Sequence, residues 1–298
     1  MIIQTEALTK YYGKARGILD VNLSVDQGEV FGFLGPNGAG KSTTIRLLMD
    51  YIRPSSGHAK VFGLDAHEDA QAIHARTGIL PGDLALYPNL TGEENLRYLA
   101  HLRGEVDWEF VRQLAERLEA DLSRKVKAYS SGNRQKIGLI QAFMHKPELL
   151  ILDEPTSGLD PLIQVEFYAL VREAIASGQT VFLSSHNLPE VERVCDRVGI
   201  IREGKLVAVE QVAALKAKAL RQIEIVFDGP APAEAFQNLP GVQDVSAANS
   251  HLRCTIAGTI DPVIKKAAQY TVVNMTSQDP NLEDIFLAFY GREGNNHA

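Results

Sequence analysis

The chain has 298 residues, 45% hydrophobic and 22% charged, with a formal net charge of -7. That length suggests one large or two ordinary domains with enough residues to bury a core, and the acidic balance argues against phosphate-backbone binding as the main task, because non-specific nucleic-acid affinity comes from clustered Lys and Arg. Cys195 and Cys254 stand far apart without metal-ligand spacing and read as buried small hydrophobes of a reducing compartment, while the N-terminus lacks the regions of a secretory signal and no run of about 18 apolar residues offers a membrane span.

The first strand signal is "ILDVNLSV", residues 18 to 25, whose apolar and polar alternation predicts a half-buried strand of an antiparallel layer. "EVFGFLG" follows as a buried strand running into a Gly-rich turn and then the helical pattern "KSTTIRLLMDYI". A mostly helical segment of about residues 84 to 146 comes next, with Thr91 and Glu94 spaced as a capping box before "ENLRYLAHLR", and "DWEFVRQLAERLEA" at helical spacing. Two more buried strands, "ELLILDE" at 148 to 154 and "TVFLSS" at 180 to 185, flank the helical "PLIQVEFYALVREAIASG". Strands alternating with helices predict a parallel sheet. "GIIREGKLVAVE" reads as a hairpin turning at Glu-Gly, and "QVAALKAKALR" as a connecting helix. Beyond about residue 220 the order β-α-β-β-α-β restarts, ending in a helix from Asn281, and resembles a ferredoxin-like unit. The fold class is α/β; the buried strand, Gly-rich turn and following helix resemble a P-loop NTPase core, with an antiparallel β layer and a helical subdomain over residues 1 to 218, plus a small α+β ferredoxin-like C-terminal domain over 219 to 298.

The chemistry sits at strand ends. "GPNGAGKST", residues 35 to 43, matches the phosphate loop G-x-x-x-x-G-K-S/T in its required context of strand, turn and helix. Along Gly35, Pro36, Asn37, Gly38, Ala39 and Gly40 the glycines let backbone N–H groups face phosphate oxygens; Lys41 reaches the β and γ phosphates, and Ser42, followed by Thr43, offers a hydroxyl to magnesium. "LLILDEP" delivers Asp153 to hold Mg2+ through water and Glu154 to orient and deprotonate a water. His186, ending the strand in "SSHNLPE", is placed to hydrogen-bond the γ-phosphate. "YSSGNRQK", residues 129 to 136, opens a helix with Ser-Ser-Gly, whose free N–H groups and positive dipole end make a second anion site.

In order and spacing, Walker A "GPNGAGKST", signature "YSSGNRQ", Walker B "LLILDE", D-loop "SGLD" and switch "SSH" resemble the ATP-binding subunit of an ABC transporter, over residues 1 to about 215. The tail "DPNLEDIFLAFYG" is similar to the end of subunits serving the drug and antibiotic exporter branch. The resemblance implies that two subunits close head to tail, the signature helix of one capping the ATP held by the other. Ser130, Ser131, Gly132 and Asn133 stand where the family has Ser-Gly-Gly-Gln, so Ser130 and the N–H groups of Ser131 and Gly132 are expected at the partner's γ-phosphate. Tyr12 matches the aromatic that stacks on adenine, with Tyr11 the weaker candidate, and Asp160 the D-loop acid that touches the opposite subunit while also serving as a helix N-cap.

One departure stands out: where the family carries a magnesium-contacting glutamine after a strand like "TGILP", this chain has Gly82 and then Asp83, a candidate but inequivalent substitute ligand. The implied function is an ATPase, with ATP and magnesium as cofactors, driving export of a drug, antibiotic or lipid-like substrate through a separate integral-membrane permease. It is expected in the cytoplasm, held as a homodimer or paired subunit at the inner face of the membrane by that permease, with no nucleic acid bound. The alternatives are a soluble ABC ATPase acting on nucleic acid or ribosomes, and a low-turnover regulatory nucleotide-binding module. Pairing of subunits is the role expected of the C-terminal domain.

Overall fold

The chain begins with β1 (Ile3–Tyr12), β2 (Ala15–Val21) and the short β3 (Ser24–Val25), so the alternating stretch at 18 to 25 is two strands rather than one. Both pair antiparallel with β1. After β4 (Val30–Leu34) and α1 (Lys41–Leu48) come β5 (Ser56–Val61), β6 (Leu64–Asp65), α2 (Ala70–Arg76) and β7 (Thr77–Leu80). Helix α1 stops before the expected Ile52: Asp50 enters the left-handed region at φ 53°, and the Tyr51 amide bonds back to the Arg46 carbonyl at 2.8 Å. That is a Schellman ending. In this computed structural model, residues 1–104, 106–218 and 220–278 are described.

The helical arm contains α3 (Gly92–Arg103), α4 (Trp108–Arg117), a 3-10 turn (Val126–Ala128) and α5 (Ser131–Phe143). Its start is the capping box expected at Thr91, with the Glu94 amide donating to the Thr91 hydroxyl at 3.2 Å and the Thr91 amide to Glu94 Oε2 at 2.7 Å. The chain then returns to the sheet through β8 (Leu149–Asp153), α6 (Pro161–Ala176), β9 (Thr180–Ser185), α7 (Leu188–Val194), β10 (Arg197–Arg202) and β11 (Lys205–Gln211). Glu203 and Gly204, at φ 49° and 74°, make the two-residue turn between the last two strands, as a hairpin requires.

Two sheets form the first unit, Met1–Glu210. One is antiparallel, in the order β2-β1-β5-β6 with β3 on β1; the other runs β11-β10-β4-β9-β8-β7 and is parallel from β10 through β7. Every residue of β4, β7, β8 and β9 is buried, because the sheet shares a core with α1 and the antiparallel sheet while α5, α6 and α7 pack against its strands. Phe31, Phe33 and Phe182 stack across β4 and β9, with ring centroids 5.9 and 5.5 Å apart, in the core between the sheets. Among the described residues no helix is long and apolar enough to cross a membrane.

The arm is tied to this core at the end of α3. Arg103 Nη1 donates to the carbonyls of His74 and Thr77 at 3.0 and 3.2 Å and lies 3.0 Å from His145 Nε2. Burial, and then the guanidinium, push the His145 pKa down to about 4. An unfolded histidine near 6.5 binds its proton first, so stability is full above that pH and falls as pH drops toward 4. After discounting for a partly exposed ring, this amounts to about 1 kcal/mol between pH 7 and 5. His145→Gln should flatten the pH dependence of urea unfolding by that amount; an unchanged dependence would refute the assignment.

The second unit, Gln211–Ala298, begins ahead of the expected residue 219 and takes in α8 (Val212–Lys218). It continues with β12 (Leu220–Phe227), α9 (Glu234–Gln237), β13 (Val242–Ala248), β14 (His251–Ala257), α10 (Asp261–Ala267) and β15 (Val272–Gln278). The sheet order β13-β14-β12-β15, with all three pairings antiparallel, is the ferredoxin-like arrangement expected. Ile223, Ile225 and Phe227 alternate inward with Leu252, Cys254 and Ile256 to meet Phe236 and Val263 of its helices. The expected helix from Asn281 and the exporter-like tail lie outside the described residues. Cys195 and Cys254 are both buried and free.

Candidate functional site

The site is built by register. Leu34 of β4 pairs with Ser185 of β9, and Ser184 of β9 with Asp153 of β8. The next residue on each strand, Gly35, His186 and Glu154, therefore leaves the sheet at one level, at the carboxyl edge where open α/β sheets bind ligands. Two bonds lock the level: the Gly35 amide to the Ser185 carbonyl and the Glu154 amide to the Ser184 carbonyl, each 3.2 Å.

From that edge the phosphate loop enters α1. Gly40 is the N-cap at φ 114°, without a side-chain cap, and a Cβ there would lie 2.6 Å from Ile18 Cγ2. The first-turn N–H groups of α1 thus face outward with no cap, next to the positive end of the helix dipole. They border a cavity of about 260 Å³ lined by Tyr12, Arg16, Gly17, Glu154 and the loop residues Pro36 to Gly38 and Gly40 to Thr43. Tyr12 sits here and Tyr11 does not, which separates the two aromatic candidates. Arg16 and Gly17 escaped sequence reading because they belong to no motif; the signal was only their position just after Tyr12.

At the floor of this cavity Lys41 is almost fully buried, its Nζ donating to the carbonyls of Gly35 and Pro36 at 2.6 and 3.3 Å and lying 3.1 Å from Glu154 Oε1. That carboxylate oxygen is buried and makes no aligned hydrogen bond, although the charges attract at that distance. Glu154 Oε2 lies 2.8 Å from His186 Nδ1. Glu154 itself is held at φ 50°, a left-handed backbone that a glutamate adopts at a cost of about 1–3 kcal/mol and that recurs at functional positions. Lys41, Glu154 and His186, expected separately, form one chain of contacts.

Asp153 is buried, and the Ser184 hydroxyl donates to its Oδ1. Its other face opens on a second cavity of about 290 Å³ lined with Arg46, Tyr51, Gly82, Asp83 and Gln141. A Cβ at Gly82 would meet Asp153 Oδ2 at 2.8 Å, so a side chain at this position would crowd the buried carboxylate. Asp83, expected as a substitute ligand, points to solvent in an ion pair with Arg46 at 2.5 Å. Ser42 lines the phosphate-loop cavity. The Ser42 hydroxyl and the Asp153 carboxylate are hard oxygen donors of the kind that suit a small hard cation.

The signature stretch lies apart from the phosphate-loop cavity. Ser130 is the N-cap of α5, its hydroxyl accepting from the Asn133 amide at 3.2 Å. Asn133, expected with the ligand contacts, is committed elsewhere: its Oδ1 accepts from the Asp121 amide at 2.9 Å and its Nδ2 donates to the Asp121 carbonyl at 3.1 Å. A Cβ at Gly132 would sit 2.7 Å from the Gly158 carbonyl, so a bare backbone brings the signature and the D-loop together. Asp160 caps α6 by accepting from Ile163 at 3.1 Å, ahead of Pro161. Gln135, which the sequence did not single out, donates to the carbonyls of Glu154 and Pro155 at 3.0 Å each, tying the signature helix to the turn that carries Glu154.

Residues 18–157 match the family model described as "ABC transporter". The chain is 33% identical to the linearmycin resistance ATP-binding protein LnrL of Bacillus subtilis (strain 168), over 98% of this chain and 99% of that protein. It is 32% identical to the bacitracin transport ATP-binding protein BcrA of Enterococcus faecalis, over 98% and 97%. Among solved structures, an ATP binding subunit of ABC transporter superposes with a TM-score of 0.66 at 31% identity, covering 72% of this chain and 92% of that one.

Proposed function

Because this chain belongs to the ABC transporter family, we propose that it is the ATPase subunit of an exporter, closing head to tail with a second copy around ATP and driving a drug, antibiotic or lipid-like molecule through a separate membrane permease. The relatives named for antibiotic resistance and transport favour this over action on nucleic acid or ribosomes. The chain works at the inner face of the membrane, held there by the permease.

One observation carries the shared site. The cavity that holds Tyr12, the phosphate loop and Glu154 has walls from the sheet side alone, and none of Ser130, Ser131 or Gly132 lines it. A second copy supplies that wall, presenting the Ser130 hydroxyl and the N–H groups of Ser131 and Gly132 to the γ-phosphate, with Asp160 at the same seam. ATP is then the adhesive of the dimer, and its hydrolysis releases the halves.

Within the site Tyr12 stacks on adenine, and Lys41 places its charge on the β and γ phosphates. Ser42 and Asp153 would hold magnesium, which when bound would neutralise phosphate charge; Asp83 stays outside this set, paired with Arg46. Glu154 orients a water and accepts its proton as the water oxygen bonds the γ-phosphorus and the bond to the β-phosphate oxygen breaks. His186 donates to the γ-phosphate and keeps Glu154 aimed.

The test is dimerisation. In a Glu154→Gln background, which retains ATP, light scattering should show the mass doubling on addition of ATP, whereas Ser130→Arg in that background should remain monomeric. A Ser130→Arg protein that dimerises as readily would overturn the shared site.

A further inference from the structure

Behind the Glu154–His186 pair lies a carboxyl that no motif singled out. Glu190, on α7, is 1% exposed, the most buried charged-type side chain among the described residues. It occupies the inward stripe of that helix with Val191 and Val194, where an apolar residue would satisfy the pattern. Glu190 Oε2 accepts from the Ser185 hydroxyl at 2.5 Å, and Oε1 has no hydrogen-bond partner. A buried polar atom left unpaired is destabilising and calls for a reason.

The bonds around Ser185 supply one. Its hydroxyl donates to Glu190 and accepts from the Asn187 amide at 2.9 Å, so both chain neighbours of His186 are pinned by one side chain. Its carbonyl receives the Gly35 amide at the start of the phosphate loop. Across the site, the buried Thr156, two residues beyond Glu154, also bears on Glu190. Burial raises the Glu190 pKa, Ser185 and Thr156 oppose that rise, and nearby Glu154 adds to it. The carboxyl therefore spans the strand end that carries His186 and the turn that carries Glu154.

We propose that Glu190 is a positioning residue for hydrolysis, holding through Ser185 the backbone from which His186 reaches Glu154. The inference rests on the reading of Glu154 and His186 as the hydrolytic pair. Small displacements at such a pair are felt in turnover rather than in binding, because ATP is gripped by the phosphate loop and Tyr12.

Glu190→Gln keeps an acceptor for Ser185 and should keep kcat within about threefold of the parent. Glu190→Leu should lower kcat about tenfold with the Kd for a fluorescent ATP analogue unchanged. On a His186→Ala background the same leucine substitution should change the residual rate less than about twofold, since its effect passes through the missing ring. Should Glu190→Leu not fold, Ser185→Ala breaks the same hydrogen bond from its other end and carries the same expectation. Full turnover in Glu190→Leu or Ser185→Ala, a parallel loss of ATP affinity, or a further tenfold loss on the His186→Ala background would overturn the positioning role. If His186→Ala alone turns over at the parent rate, the reading of the pair falls, and the role of Glu190 falls with it.

Discussion

Glu154→Gln should bind ATP at least as tightly as the parent and hydrolyse it at least about 10²-fold more slowly, the range spanned by loss of a general base. Glutamine is nearly isosteric and tolerates the left-handed backbone at φ 50° as well as glutamate does, so the turn should hold. Its amide oxygen still accepts from His186, now 2.8 Å from Glu154 Oε2. What disappears is the proton acceptor, together with a negative charge 3.1 Å from Lys41 that competes with the triphosphate for that lysine. Binding and turnover therefore move in opposite directions, and measuring phosphate release beside ATP retention separates them. A variant with the parent's turnover would remove Glu154 from the mechanism.

Lys41→Ala should weaken ATP binding by about 10- to 100-fold, the scale of one or two charge-assisted hydrogen bonds to phosphate. The ammonium is buried and already directed at the loop by the carbonyls of Gly35 and Pro36, so little ordering is needed when phosphate arrives. Alanine preserves the helix start and removes only this charge. It also leaves the buried Glu154 Oε1 without its neighbouring cation, so a modest loss of stability should accompany the loss of affinity. Calorimetric titration with ATP decides the matter: an unchanged Kd would show that the phosphates lie elsewhere.

The elements that could be read in advance are those whose signals are local. The buried runs of β4, β8 and β9 are each built on a short apolar stretch, and "TVFLSS" ends where β9 ends. The Thr91 capping box rests on a three-residue spacing, and the Glu-Gly hairpin on two residues able to take positive φ. Other features follow from short-range competitors: Asp50 closes α1 before Ile52 by turning left-handed, and the polar atoms of Asn133 and Asp83 engage Asp121 and Arg46. No pattern along the chain could announce those two, since a short polar side chain bonds whatever folding brings within reach.

By itself the sequence determined the inventory of residues: a Gly-rich turn before a helix, an acid pair and a histidine at strand ends, and a polar helix start, each written in a few neighbouring residues with backbone geometry as its reason. Only the tertiary structure decided how these parts meet. Strand register set Gly35, Glu154 and His186 at one height, close backbone approach put Gly82 against Asp153, and packing of α7 buried Glu190 next to the strand end that carries His186. Such contacts join residues distant in the chain, and their energies depend on burial and on angles that the finished core imposes.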